Sequence, residues 1–166
     1  MAIPVARAAG AASVYAIDVN PAKLELASRV GADATFSATD PNLVDEILRR
    51  TNGDGVDVLL EMSGSGSAID SGLAMVRNGG TAALLGIPSD NISINLAERI
   101  IFKGLTVLGI NGRKMFETWY QTQALVKSGR VDLGPIITHE MPFDAFDEAF
   151  GLMKSGGAAK IVLQVE

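Results

Sequence analysis

Asp18 is the side chain whose position in this sequence most invites a chemical reading. It closes the run Ser13–Asn20 (SVYAIDVN), in which Val14, Tyr15, Ala16 and Ile17 are β-prone and mostly apolar, and Asn20-Pro21 follows at once. A short run of this kind belongs inside a parallel sheet, and proline suits the first turn of a helix. A carboxylate between a buried strand and a helix can accept hydrogen bonds from both hydroxyls of an adenosine ribose. It also repels a 2′-phosphate, so it selects NAD over NADP. Lys23, five residues on, has the reach to meet the same sugar or the adenine edge. The alternative stands beside it: Asp-x-Asn-Pro is ordinary turn chemistry, with Asp18 ending a strand and Lys23 solvated.

Three further strand ends carry small or turn-forming groups, at Met62–Gly66, Leu85–Pro88 and Ile110–Gly112. In a doubly wound sheet, ligands sit beyond the carboxyl ends of the strands. Glycine there lets backbone amides approach a flat ligand closely, although such loops contain glycine for packing reasons too. The remaining candidates are thinner. Asp57 and Glu61 share one strand pattern, but paired-carboxylate chemistry needs a separation that sequence does not define. Ser63-Gly64-Ser65-Gly66 lacks the G-x-S-x-G order of a nucleophile elbow. His139 is the sole imidazole, either an acid–base group or a loop histidine satisfied by backbone.

The scaffold for these groups is legible in composition and pattern. A chain of 166 residues, 48% hydrophobic with 18 glycines and 5% aromatics, suits a packed α/β domain with tight turns. It has no cysteine, which excludes disulfides, thiolate metal sites and a thiol nucleophile. A single histidine leaves little for a histidine-based zinc site. The net charge of −5 without a basic run argues against nucleic acid. No stretch reads as a membrane span or a signal peptide, so a cytoplasmic protein is expected.

Along the chain, Met1–Ala9 reads as a helix already under way and closed at Gly10. A mononucleotide-binding unit begins instead with a strand and G-x-G-x-x-G, whose helix holds the pyrophosphate, so both are expected to be missing. Helices are expected from Pro21, over Asn42–Thr51, over Ala68–Val76 and over Leu96–Phe102. Strands are expected at Val14–Ile17, Ala34–Ser37, Val56–Met62, Thr81–Leu85 and Leu105–Ile110, with a short one at Ile92–Ile94. Beyond Arg113 the pattern changes to a long helix at Lys114–Ser128, a strand at Ile136–Thr138, a helix at Asp144–Lys154 capped by Asp144, and a last strand at Lys160–Val165. The fold class is therefore α/β: a Rossmann-type doubly wound parallel sheet lacking its first strand and phosphate loop, followed by a C-terminal segment.

Several runs carry a more specific resemblance: EMSGSG at Glu61–Gly66, LLGIPS at Leu84–Ser89, IIFKGLTVLGINGRKMFETWY at Ile100–Tyr120, and GPIITHEMPFDAFDEAFGLMKSGGAAKIVL at Gly134–Leu163. Together they resemble the L-threonine 3-dehydrogenases, zinc-dependent members of the medium-chain dehydrogenase/reductase family. The resemblance implies residues 1–132 as an incomplete NAD-binding Rossmann domain and 133–166 as a segment that packs on a catalytic domain. It implies Asp18 and Lys23 as ribose contacts, Leu85, Gly86 and Ile87 as the segment passing the nicotinamide, and Ile110 and Asn111 as the pair on the other side of that ring.

Members of this family oxidise L-threonine to 2-amino-3-oxobutanoate, passing hydride to NAD while zinc holds and acidifies the hydroxyl. Their zinc ligands have no counterpart in these residues, so the chain is expected to be inactive by itself and to bind NAD weakly or not at all. A homo-oligomer through the strand at Leu105–Ile110 is also implied, through edge pairing across a two-fold axis. The alternatives are a fragment of another zinc alcohol or polyol dehydrogenase, and a non-catalytic remnant that self-associates.

Overall fold

The computed structural model describes residues 1–165. Its strands are β1 (Tyr15–Asp18), β2 (Ala34–Ser37), β3 (Val56–Glu61), β4 (Val76–Leu84), β5 (Thr106–Gly109), β6 (His139–Pro142) and β7 (Ile161–Gln164). Its α-helices are α1 (Ala2–Ala8), α2 (Pro21–Arg29), α3 (Leu43–Arg50), α4 (Gly66–Met75), α5 (Glu117–Lys127) and α6 (Phe146–Lys154). Every strand pairing is parallel, in the orders β1-β2, β3-β4-β5 and β6-β7. Parallel neighbours separated by helical crossovers define Rossmann-type α/β architecture.

The chain divides into two compact units, Met1–Ser37 with Met115–Glu166, and Ala38–Lys114. In the first unit, α1 ends with Gly10 and Ala11 donating back to Arg7 O and Ala6 O, a C-terminal capping pattern. Arg7 then donates to Ala11 O and Ala12 O and pairs with Asp33. The Val14 amide and the Arg7 guanidinium together hold the Asp33 carboxyl below its usual range. Tyr15 meets Phe36 edge to face across the β1-β2 pair, with centroids 5.9 Å apart. Asn20 caps α2, its side-chain oxygen accepting from Ala22 N–H at 2.9 Å.

The second unit is built on α4 and its sheet. Ile69, Leu73 and Ala82 form a buried cluster, enclosed by Leu59, Leu84, Ile94, Ile100 and Leu105. Strand alternation sends Val58 and Leu60 to the opposite face, where both stand exposed, as does Leu108 on β5. Leu43 and Ile47 are the buried residues of α3, one turn apart on the same face.

Some elements differ from expectation. Ile92–Ile94 is not a strand; Ile94 instead packs against the α4 cluster. The segment Ala97–Ile101 is a π-helix, and α4 ends at Met75 so that β4 begins at Val76, five residues before the expected start at Thr81. The early part of β4 carries an irregularity, since Val56 pairs with Val76 but Val58 pairs with Thr81. Ile136 closes a 3-10 turn with Gly134 and Pro135, and the strand starts only at His139. Asp144 lies inside a second 3-10 turn, Phe143–Ala145, and makes no cap; α6 begins at Phe146. No helix among the described residues is long and apolar enough to cross a membrane.

Candidate functional site

At the carboxyl end of β1, Asp18 is half-buried and its Oδ1 accepts from Asn20 N–H at 2.9 Å. One amide uses a fraction of a carboxylate's acceptor capacity, so this group keeps lone pairs for a ligand. The local turn is a relay of small caps: Asn20 holds Asp18 and in turn accepts from Ala22. Lys23 stands exposed in the first turn of α2. Both readings of the sequence therefore coexist, because Asp18 does make the turn and still presents acceptor atoms.

In the other unit, the ends of β3 and β4 are fastened to each other. Leu85 N–H and Gly86 N–H both donate to Glu61 O, at 2.8 and 3.2 Å. The Glu61 side chain is 4% exposed. It accepts from Ser63 N–H at 2.8 Å, from the Ser63 hydroxyl, and from Gly64 N–H at 3.2 Å. Gly64 adopts φ +71, and a methyl group there would lie 2.6 Å from Ile87 O. A methyl group on Gly86 would lie 2.1 Å from Gly64 N. Only glycine permits two main chains to meet this closely. A crevice of about 460 Å³ opens beside this contact, lined by Ser63, Gly64, Gly66, Ile87, Pro88 and Ile92 among others.

Ile110 N–H donates to Leu84 O at 2.9 Å, so the end of β5 lies beside the β4 end. Leu85, Ile87 and Ile110 are exposed apolar side chains at these strand ends, and Asn111 is exposed beside them. Leu85–Ile87 and Ile110–Asn111 are thus brought to one edge, with a surface suited to a flat, partly apolar ring. In the sequence Glu61 counts only as half of a carboxylate pair with Asp57, and its burial at this strand end is not foreseen. Its signal was an acidic residue closing an apolar strand before a small-residue turn, the same signal that singled out Asp18.

The other candidates are accounted for locally. Asp57 pairs with Arg77 at 2.6 Å and does not act with Glu61. His139 is the first residue of β6, not a loop residue, and its Nδ1 lies 3.0 Å from Thr138 Oγ1. A second cavity, about 470 Å³, touches Asp54, Arg77 and Lys103. Lys103 Nζ there donates to Leu73 O and Ala74 O, both at 2.9 Å, and caps the end of α4. Burial, and then the charge of Arg99, lower its pKa. Among the described residues no three His, Asp or Glu side chains gather as they would around a metal ion. With no cysteine in the sequence, these residues do not fit a zinc centre.

Comparison with known proteins agrees with this fold. The family described as zinc-binding dehydrogenase matches residues 1–128. L-Threonine 3-dehydrogenase of Bacillus subtilis is 45% identical over 163 residues, covering 98% of this chain and 47% of that protein. The protein of the same name from Pyrococcus abyssi is 42% identical, covering 100% and 48%. Among solved structures, an alcohol dehydrogenase from Thermotoga maritima superposes with a TM-score of 0.88 at 29% identity, over 99% of this chain and 46% of that one. The 2R,3R-butanediol dehydrogenase of Bacillus subtilis gives 0.88 at 26% identity, over 99% and 47%. The chain spans about half the length of the relatives it matches.

Proposed function

The chain belongs to the zinc-binding dehydrogenase family, and from that premise we propose that it is the coenzyme-binding part of an NAD-dependent L-threonine 3-dehydrogenase. The observation that carries the coenzyme reading is Asp18, a carboxylate with spare acceptor capacity at the carboxyl end of a parallel strand. Asp18 and Lys23 take the adenosine ribose; Leu85, Gly86 and Ile87, with Ile110 and Asn111, take the nicotinamide. NAD, when bound, supplies the hydride acceptor. These residues orient the coenzyme and discriminate it from its 2′-phosphorylated form. The substrate, L-threonine, is read from the names of the relatives at 45% and 42% identity, and the reaction is its oxidation to 2-amino-3-oxobutanoate.

The 166 residues contain no G-x-G-x-x-G turn to cradle a pyrophosphate. By itself this chain therefore binds NAD no more tightly than about millimolar, about −4 kcal/mol. Calorimetry should show that weak binding, still weaker for NADP, and its loss in Asp18→Ala. Micromolar affinity, or indifference to Asp18, overturns the reading. With L-threonine, NAD and zinc added, the isolated chain should form no NADH; turnover that co-elutes with it would overturn that part.

The same reading extends to assembly. Since Ile110 N–H points to β4, alternation aims the amides of Val107 and Gly109 at the free side of β5. All four residues of β5 are exposed, and none is charged or proline. A second copy pairing along this edge closes a dimer.

A further inference from the structure

Glu61 is the one buried charged side chain among the described residues. Its hydrogen-bond partners are the Ser63 amide and hydroxyl and the Gly64 amide, all neutral dipoles. Both oxygens act as acceptors, the role of a carboxylate anion. Dipoles spread such a charge without cancelling it, and a charge shielded from water acts over longer range than one at the surface. Oε2 lies directly behind Gly86, where a methyl group would come within 2.7 Å of it. The other side of this main chain leads to Ile87, 86% exposed. A ligand seated on the Gly86–Ile87 backbone is thus separated from a buried negative charge by little more than one peptide unit.

We propose that Glu61 sets the redox preference of the coenzyme site, favouring the oxidised nicotinamide, which carries a positive charge, over the reduced ring, which carries none. This rests on the reading of Leu85–Ile87 as the nicotinamide segment. The charge strengthens the hold on the hydride acceptor and leaves the reduced product without that attraction, so it biases the site toward taking up NAD+ and releasing NADH. A role confined to loop shape would change both affinities alike. The electrostatic role changes their ratio.

The test titrates the chain separately with NAD+ and NADH while NMR follows the amides of Gly64, Gly86 and Ile87. Glu61→Gln keeps the acceptor at the Oε1 position, which receives Ser63 N–H, the Ser63 hydroxyl and Gly64 N–H, and removes the charge. It should shift the NAD+ to NADH preference toward NADH by about fivefold to tenfold. An unchanged ratio with both forms still bound overturns the inference while sparing the coenzyme reading. Binding of neither form by the unaltered chain overturns both. Ser63→Ala keeps the charge and strips one of its donors, so it should raise the preference for NAD+ by about twofold. If Glu61→Gln does not fold, an unchanged or lower preference in Ser63→Ala overturns the proposal.

Discussion

The carboxyl end of β1 and the carboxyl ends of β3 and β4 are built by opposite means. At β1 the working atoms belong to a side chain. Asp18 projects from a short turn held by single hydrogen bonds, with Lys23 exposed beyond it. At β3 and β4 the working surface is main chain: Gly64 against Gly86 and Ile87, with the Glu61 carboxylate wedged behind. The first arrangement is chemically specific and mechanically slight. The second carries little side-chain specificity but is bound into the packing of the sheet. Substitutions should separate the two, costing mainly binding at one end and mainly stability at the other.

The largest effect is expected from Gly86→Ala. The added carbon would sit 2.1 Å from Gly64 N and 2.7 Å from Gly64 Cα, both of them main-chain atoms that cannot swing aside. Overpacking of this kind costs about 3 kcal/mol, readable in urea denaturation. A loss under about 0.5 kcal/mol would break the contrast, since the β4 end would then be as pliable as the β1 end. Asp18→Ala should stay within about 1 kcal/mol of the parent in stability, the worth of one hydrogen bond, while NAD binding disappears. A large stability loss there would show that the turn is structural after all.

Val107→Pro probes a third surface whose specificity is also main chain. It removes an outward amide of β5 and should yield monomers by light scattering where the parent gives dimers; a monomeric parent sinks the idea. The smallest effect sharpens the picture of the packed end. Arg99 grips Asp70 with two hydrogen bonds, at 2.8 and 3.0 Å, joining the π-helix to α4 and lowering the Asp70 pKa. A depressed folded pKa means the contribution is present above the unfolded value, about 3.9, and fades as pH falls through the lower folded value. Because Asp70 is 39% exposed, solvent screens the pair, and Asp70→Asn should cost about 0.5 kcal/mol at neutral pH. The difference should vanish in strong acid; a constant cost across pH would assign it to packing.

What the sequence disclosed follows the same division. Asn20-Pro21, the apolar run ending at Asp18, and the helix expected over Asn42–Thr51 report local preferences that tertiary packing did not overrule. Ile92-Ser93-Ile94 alternates like a strand, yet Ile94 is drawn under α4 with Ile100 and Leu105. Conversely, His139–Pro142 has poor strand character and forms β6 because β7 supplies a partner, with His139 opposite Ile161. The Gly64–Gly86 contact was legible only as two glycine-bearing turns, since nothing local says which residues twenty-two positions apart will touch. The burial of Glu61 has the same origin. Its donors are two and three residues away, but its exclusion from water depends on the β4 loop closing over it.

The meeting of Gly64 and Gly86 also defines what a protein engineer can vary. The walls of the adjoining crevice include Ser65, Ile87, Ser89 and Ile92, all of them exposed. Randomising these four positions resurfaces the cavity while the glycine contact keeps its shape. A library that reaches position 64 or 86 trades the frame itself. Selection for altered ligands therefore has a replaceable lining on a fixed chassis, and the useful diversity lies at the exposed positions that follow the glycines.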